Sequence, residues 1–238
     1  MTHRGVRNVA IVVKHFMLGG LERVVMGQVE ALLAEGFSVK LIILQDDRDN
    51  CLLVEIPVGA KLHVAPKYRR IADIVAGKTV LLELADGSLL PRLRPYMRGA
   101  SRVIRFCHSD YSHCRSVREN LLDRFLSDRF EDSIVAVGNQ ARDFLVEVVG
   151  IPDTKITTLS NAISPWGSSG IDLKWEIKER DGYLVSVQSM YRHKDHRTLL
   201  LAVAIANEGR YGIDRVKLVL IGDGDQLDTS RTRSCELA

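Results

Sequence analysis

Two glycines stand where the chain passes from its first apolar run into its first amphipathic segment. The run covers residues 9–13, and Gly19 and Gly20 follow it, just before a segment at 21–34 with apolar residues at helical spacing. Glycines at such a junction let the backbone approach a ligand closely, and the unpaired N–H groups at the start of a helix favour an anion. The junction therefore predicts a site for a phosphate group, although the pattern alone is a weak signal.

Soft metal ligands are concentrated in a second stretch. Four of them fall within eight residues: Cys107, His108, His113 and Cys114. Four is the number that a structural zinc ion takes, but such sites usually draw two ligand pairs from separate turns. Here the pairs straddle a predicted strand end and a loop, so a buried Cys107 that fills the core is the preferred interpretation.

Predicted strands and helices alternate from residue 1 to about 160, which indicates a doubly wound parallel sheet. The predicted strands are 9–13, 39–44, 61–65, 79–84, 102–107, 133–137 and 155–159. The predicted helices are 21–34, 68–76, parts of 88–98 broken by Pro91 and Pro95, 116–130 and 140–149. Ligands meet such sheets at the carboxyl ends of the strands, where His108 and the two glycines are expected to lie.

The character of the chain changes after residue 160, where Gly, Ser, Pro and charged residues become frequent. We place a first domain at 1–165, a linker at 166–182 and the start of a second domain at 183–238. The second region has predicted strands at 183–187 and 217–221 around a helix. Two strands and one helix bury too little surface to be stable alone, so this piece is expected to dock, to associate or to be poorly ordered.

The composition is that of an ordinary globular protein, with 46% apolar residues, 26% charged residues and a formal charge of +3. This charge is too small to indicate nucleic-acid binding. There is no signal peptide and no apolar run of ~18–20 residues, so we expect a cytoplasmic protein. Residues 67–118 hold eleven Lys and Arg against four acids. The interleaved arginines and apolar residues of 89–98 could lie peripherally on the inner membrane face, but a solvated basic face is the preferred interpretation.

Four separated stretches of the chain carry a family resemblance. They read LGGLERVV at 18–25, SIVAVGNQARDFL with GIPDTKI and SNAI over 133–163, LVSV with YRHKDH over 184–196, and LVLIGDG at 218–224. Together they resemble the retaining, nucleotide-sugar-dependent glycosyltransferases of the GT-B fold, in which two Rossmann-like domains face each other across a cleft. The resemblance implies an α/β protein with one complete doubly wound Rossmann-like domain and the beginning of a second.

The resemblance also implies roles for the residues that match the family's motifs. The donor's phosphates would be bound by Gly19, Gly20, Arg192 and Lys194, and the charge of Lys194 would stabilise the leaving group. His108 would be the catalytic residue beside the transferred sugar. The acceptor side of the cleft would hold Glu22, Arg23 and Asn161, and a loop of the second domain would hold Gly222 and Gly224. Where the family has an arginine five residues before the lysine, this chain has Ser189, and Arg192 would have to supply the second charge.

The implied activity is transfer of a hexose-like sugar, with retention, from a UDP- or GDP-sugar to a glycan or lipid-linked acceptor, without a metal or a further cofactor. The family's E-x7-E pair does not occur after Gly224. The chain is therefore expected to be a truncated enzyme with little turnover, or a non-catalytic remnant that binds an acceptor or a partner. A third hypothesis, an NAD-dependent enzyme with Asp46 or Asp47 on the ribose, lacks the G-x-G-x-x-G spacing.

Overall fold

The structure, a computed structural model, describes residues 7–17, 19–46, 53, 55–84, 90–110, 115–162, 183–191, 194–208, 216–224 and 226. The chain divides into two compact units, residues 1–168 and 169–238. The division falls inside the predicted linker, 166–182.

A seven-stranded parallel sheet forms the first unit. Its strands are β1 Asn8–Val13, β2 Ser38–Ile43, β3 Lys61–Val64, β4 Thr79–Glu83, β5 Arg102–Cys107, β6 Ser133–Ala136 and β7 Ile156–Thr158. Their order across the sheet is β3-β2-β1-β4-β5-β6-β7, and every neighbouring pair is parallel. The prediction of a parallel α/β sheet is confirmed.

The connections between these strands are largely helical. The α-helices are α1 Gly20–Ala34, α2 Tyr68–Val75, α3 Leu90–Leu93, α4 Val117–Phe130 and α5 Asn139–Asp143. Short 3-10 helices span Arg94–Met97 and Asp153–Lys155, and a π-helical turn spans Phe144–Val149. Pro91 and Pro95 each occupy the second position of a helix. A proline there lacks only an N–H that has no intrahelical partner. The change from an α-helix to a 3-10 helix just before Pro95 agrees with the predicted break, whereas Pro91 lies within the first turn of α3.

The position of β1 in the middle of the sheet explains why its sequence is a continuous apolar run. Residues 9–13 are all at most 4% exposed, because β2 and β4 flank the strand and helices cover both faces. Successive side chains point to opposite faces: Ala10 and Val12 join one core cluster with residues of α2, and Val9, Ile11 and Val13 join another with residues of α1. The core therefore lies on both sides of the sheet.

Helix α4 differs from an ordinary amphipathic helix because it turns polar side chains toward the core and apolar side chains toward solvent. Its buried residues are polar, namely Asn120, Asp123 and Ser127. Large apolar residues lie outside, with Leu121 61% exposed and Phe125 56% exposed. Apolar residues at helical spacing predict the helix correctly, but such a stripe normally faces the core, and here it faces outward.

Buried arginines account for this reversal. Asp123 accepts hydrogen bonds from Arg94 at 2.7 Å, from Arg105 at 3.1 Å and from Arg115 at 2.9 Å. Glu131, at the end of α4, accepts from Arg94 at 2.6 Å and from Arg105 at 3.1 Å. Because a buried charge is costly unless it is paired, α4 must turn its carboxylate toward the sheet. We call these five side chains the arginine–carboxylate network.

The network removes two arginines from the basic segment at 67–118, most of whose other Lys and Arg side chains are exposed. Arg94 is fully buried and Arg105 is 4% exposed, so neither lies on a solvated basic face. Leu93 and Met97, which would have anchored an amphipathic segment on a membrane, pack instead into the core of the first unit. Arg92 and Arg98 of the same segment are exposed, so the interleaved pattern combines one buried arginine with two solvated ones.

The second unit contains a parallel pair of strands, β8 Tyr183–Val187 and β9 Lys217–Ile221, and helix α6 His196–Asn207. The helix begins at Asp195, whose carboxylate accepts a hydrogen bond from the Thr198 N–H at 3.3 Å. Val187 is 72% exposed although it lies in a strand, as expected of a two-stranded sheet with so little cover.

Candidate functional site

The carboxyl edge of the seven-stranded sheet holds the candidate site. Strands β2 and β3 lie on one side of β1, and β4 to β7 lie on the other side. The strand order therefore reverses between β1 and β4. Ligands of doubly wound sheets bind at this reversal of strand order, beyond the carboxyl ends of the strands. Here the first turn of α1, the last residue of β4 and the first residue after β5 supply the side chains of the site.

Gly19 and Gly20 form the entry to α1, as N-cap and first helical residue. The N-cap lacks a side-chain hydrogen bond, and the Glu22 carboxylate instead folds back to accept from its own N–H and from that of Met17. A Cβ atom at Gly19 would collide with this carboxylate, whereas one at Gly20 would meet nothing within 4 Å. The atom met at position 19 is the end of a flexible side chain that can turn away, so neither position requires glycine through contact with the backbone.

The Glu22 carboxylate occupies the place where an anion would bind at the start of α1. Burial raises the pKa of Glu22 above 4.5, while its backbone hydrogen bonds and the nearby His15 and His108 act in the opposite direction. A phosphate group at Gly19 would meet this carboxylate unless the carboxylate turns away or takes up a proton. The predicted phosphate position thus already contains a negative charge of the protein itself.

His108 lies beside a buried carboxylate that the sequence analysis did not single out. Its Nε2 atom is 2.5 Å from Oε2 of Glu83, the last residue of β4. The side chain of Glu83 is fully buried, and that of His108 is 10% exposed. Glu83 Oε1 has no hydrogen-bond partner among the described residues. The available sequence signal was a carboxylate at the last position of an apolar strand, TVLLE.

The remaining predicted residues of the first unit lie apart from this pair. Arg23 pairs at the surface with Glu55, Nη1 to Oε2 at 2.7 Å, and both side chains are more than one-third exposed. Asn161 is exposed and follows β7, the edge strand of the sheet. The structure therefore brings together Gly19, Glu22, Glu83 and His108.

In the second unit, Gly222 and Gly224 allow two loops to pack closely. A Cβ atom at Gly222 would collide with the carbonyl oxygen of Gln188, and one at Gly224 would lie 2.6 Å from the carbonyl oxygen of Met190. The Met190 N–H donates to the carbonyl of Asp223 at 2.8 Å. These glycines hold the loop after β9 against the loop after β8.

Lys194 lies just before α6 and is exposed; its N–H donates to the carbonyl of Tyr191 at 2.9 Å. An exposed ammonium at a loop end is available to an anion. Arg192, the other predicted phosphate ligand of this loop, lies outside the described residues.

The zinc interpretation finds no support in its described half. Cys107 is buried and packs with Ile134 and Ala136, as the core-filling interpretation predicted. Burial raises the pKa of its thiol. Residues 113 and 114 lie outside the described part of the chain, within which no three His, Cys, Asp or Glu side chains are grouped to hold a metal ion.

No helix among the described residues is both long enough and apolar enough to cross a bilayer.

Comparisons with known proteins define the fold. No family model matches the chain, and no curated protein sequence matches it. Among solved structures, Anabaena HepE in complex with UDP-glucose matches with a TM-score of 0.69 and 13% identity, over 96% of this chain and 66% of HepE. HepE in complex with UDP matches with a TM-score of 0.71 and 10% identity, over 97% of this chain and 65% of HepE.

A lipopolysaccharide outer core galactosyltransferase, WaaB, gives a TM-score of 0.62 at 16% identity, over 97% of this chain and 65% of WaaB. The chain thus spans about 65% of the length of these proteins. At such low identity the likeness establishes the fold, which is α/β of the GT-B type, as predicted.

Proposed function

We propose that the chain is part of a glycosyltransferase that moves a hexose-like sugar from a UDP- or GDP-sugar to a glycan or lipid-linked acceptor, with retention of configuration. The observation that carries the proposal is the Glu83–His108 pair, which interacts electrostatically with Glu22 at the start of α1, at the reversal of strand order in a sheet of the GT-B type. The complexes of HepE with UDP-glucose and with UDP support a nucleotide sugar as the donor.

Glycosyl transfer breaks the bond between the anomeric carbon and a phosphate oxygen. The electron pair of that bond leaves with the diphosphate, so a fixed positive charge near the diphosphate stabilises the transition state. Lys194, exposed at the loop before α6, is our candidate for this charge, with Arg192 as its companion. No metal ion is required for this role, because the lysine supplies the charge itself.

The first unit would contribute His108 as the group beside the transferred sugar. Its imidazole stands at the carboxyl edge with a tenth of its side chain accessible, as a ligand-binding histidine requires. Gly19 and Gly20 would admit a donor phosphate once Glu22 is turned away or protonated. The raised pKa of Glu22 makes the second route less costly than for an ordinary carboxylate.

Calorimetric titration with UDP, GDP, UDP-glucose and an acceptor glycan tests the proposal. We expect a nucleotide and its sugar conjugate to bind, and Lys194→Ala to weaken both.

Sugar transfer would then be assayed on the chain itself and on the chain joined to the carboxyl-terminal third of HepE. Binding of an acceptor without any nucleotide would favour the non-catalytic alternative, and absence of transfer by the joined protein across UDP- and GDP-sugars would refute the enzyme hypothesis. A cytoplasmic location remains a prediction.

A further inference from the structure

We propose that Glu83 is a positioning residue for His108: it holds the Nε2 side of the imidazole, so that Nδ1 is presented to a hydroxyl group of the bound sugar. This inference rests on the proposed function, because it assigns the Nδ1 side of His108 to a sugar ligand. It adds a residue to the site that neither the family resemblance nor the comparisons identified.

The burial of Glu83 calls for such an explanation. A fully buried carboxylate costs stability unless it is paired, and within the described part of the chain Glu83 has one hydrogen-bond partner, His108, with its other oxygen unpaired. By contrast, the buried Asp123 accepts from three arginines. An apolar residue at position 83 would continue the strand at less cost. The fold alone therefore does not account for a carboxylate at the end of β4, at the edge where ligands bind.

The sheet register brings the pair together. Glu83 in β4 lies opposite Phe106 in β5, and His108 lies two residues further along the chain. The Phe106 and His108 rings are nearly parallel, with an interplanar angle of 19° and centroids 6.2 Å apart. With Nε2 bound to Glu83 and one side near Phe106, the imidazole has little freedom to rotate.

Which nitrogen of a histidine carries the proton is set by the hydrogen bond that the other nitrogen makes. A carboxylate only accepts, so the short contact to Oε2 requires the proton to be on Nε2. In the neutral ring Nδ1 is then an acceptor, which suits a sugar hydroxyl as donor. Glu22 is the other carboxylate whose charge reaches His108, from the start of α1.

The hydrogen bond itself can be tested on the complete chain without any ligand. Nitrogen-15 NMR of the histidine rings should give a His108 Nε2–H cross-peak that is protected from exchange with water. Glu83→Gln retains an acceptor of the same shape and should keep the peak at a shifted position, whereas Glu83→Leu should lose it. Absence of the peak in the wild type, or its persistence in Glu83→Leu, would overturn the inference.

The role in ligand binding is tested with UDP-glucose as the probe. We expect Glu83→Leu to weaken binding about tenfold or more, which is the effect of losing one well-placed hydrogen bond to a ligand. Glu83→Gln should remain within about threefold of the wild type. Glu147→Gln, which changes an exposed glutamate of the same unit, serves as the matched control.

A double-mutant cycle separates positioning from general loss of structure. If Glu83 acts through His108, Glu83→Leu should add nothing to the effect of His108→Ala, so the double variant should bind UDP-glucose as weakly as His108→Ala alone. Additive losses would overturn the inference, as would equal loss in Glu83→Gln and Glu83→Leu. A wild type that shows the protected peak but binds no nucleotide sugar would instead refute the proposed function and with it the sugar assignment, while leaving the pairing of the two residues established.

Discussion

The arginine–carboxylate network makes α4 unusually sensitive to the loss of one charge. The substitution Asp123→Asn keeps the shape of the side chain and removes its charge. The wild-type network contains three guanidinium groups and two carboxylates. In the variant, Glu131 alone would remain to pair with Arg94 and Arg105, Arg115 would lose its carboxylate, and the new amide N–H groups would point toward donors.

The expected cost follows from burial. The side chains of Arg94 and Arg105 are at most 5% exposed, so water cannot replace the lost partner. Removing one partner of a buried ion pair typically costs about 3–5 kcal/mol, and we expect a loss in this range. That is a large part of the stability of a typical domain, which is about 5–15 kcal/mol.

Urea denaturation followed by far-UV circular dichroism measures the loss, and hydrogen exchange of the α4 peptides assigns it to the first unit. The matched control is Asp128→Asn in the same helix, because the Asp128 side chain is 53% exposed and lies 4.0 Å from Lys155. That surface pair should contribute about 1 kcal/mol or less. If Asp123→Asn were no more destabilising than Asp128→Asn, the burial argument would be refuted.

Three further predictions concern pH and packing. Burial would raise the pKa of Asp123, but the three arginines outweigh burial and hold this pKa well below 3.8. In an acid denaturation series, the stability difference between the wild type and Asp123→Asn should therefore be full at neutral pH and shrink as the pH falls below about 4. Glu22 has a raised pKa, so the wild type should lose stability relative to Glu22→Gln as pH rises above 4.5, and a constant difference would contradict this. Gly222→Ala should abolish hydrogen-exchange protection of 183–191, because its Cβ would collide with the backbone of Gln188; Gly138→Ala, which meets open space, should leave protection intact.

The sequence predicted the strands well because buried parallel strands have a strong local signal. β1 and β4 are short apolar runs bounded by polar or glycine-containing segments, and both lie where they were expected. The positions of Gly19 and His108 at the carboxyl edge followed from the same alternation of strands and helices, since each comes after a strand end.

Which side of α4 faces the core, and which residue pairs with His108, could not be predicted, because both depend on residues distant in sequence. Arg105 shares the inward-facing side of β5 with Val103 and Cys107, yet an arginine in a strand carries no local sign of burial. Glu83 meets His108 only through the register of β4 with β5, across a separation of 25 residues. Local patterns define elements, whereas these contacts arise from their pairing.

The reversed helix α4 also changes how natural variation in this chain should be interpreted. Scales that rate substitutions by hydropathy would treat Leu121 and Phe125 as constrained and Asp123 and Ser127 as tolerant. The structure reverses that ranking, because the first two lie at the surface and the last two lie inside. Related sequences should therefore vary freely in size and polarity at 121 and 125, while a change at 123 should be accompanied by compensating changes at Arg94 or Arg105.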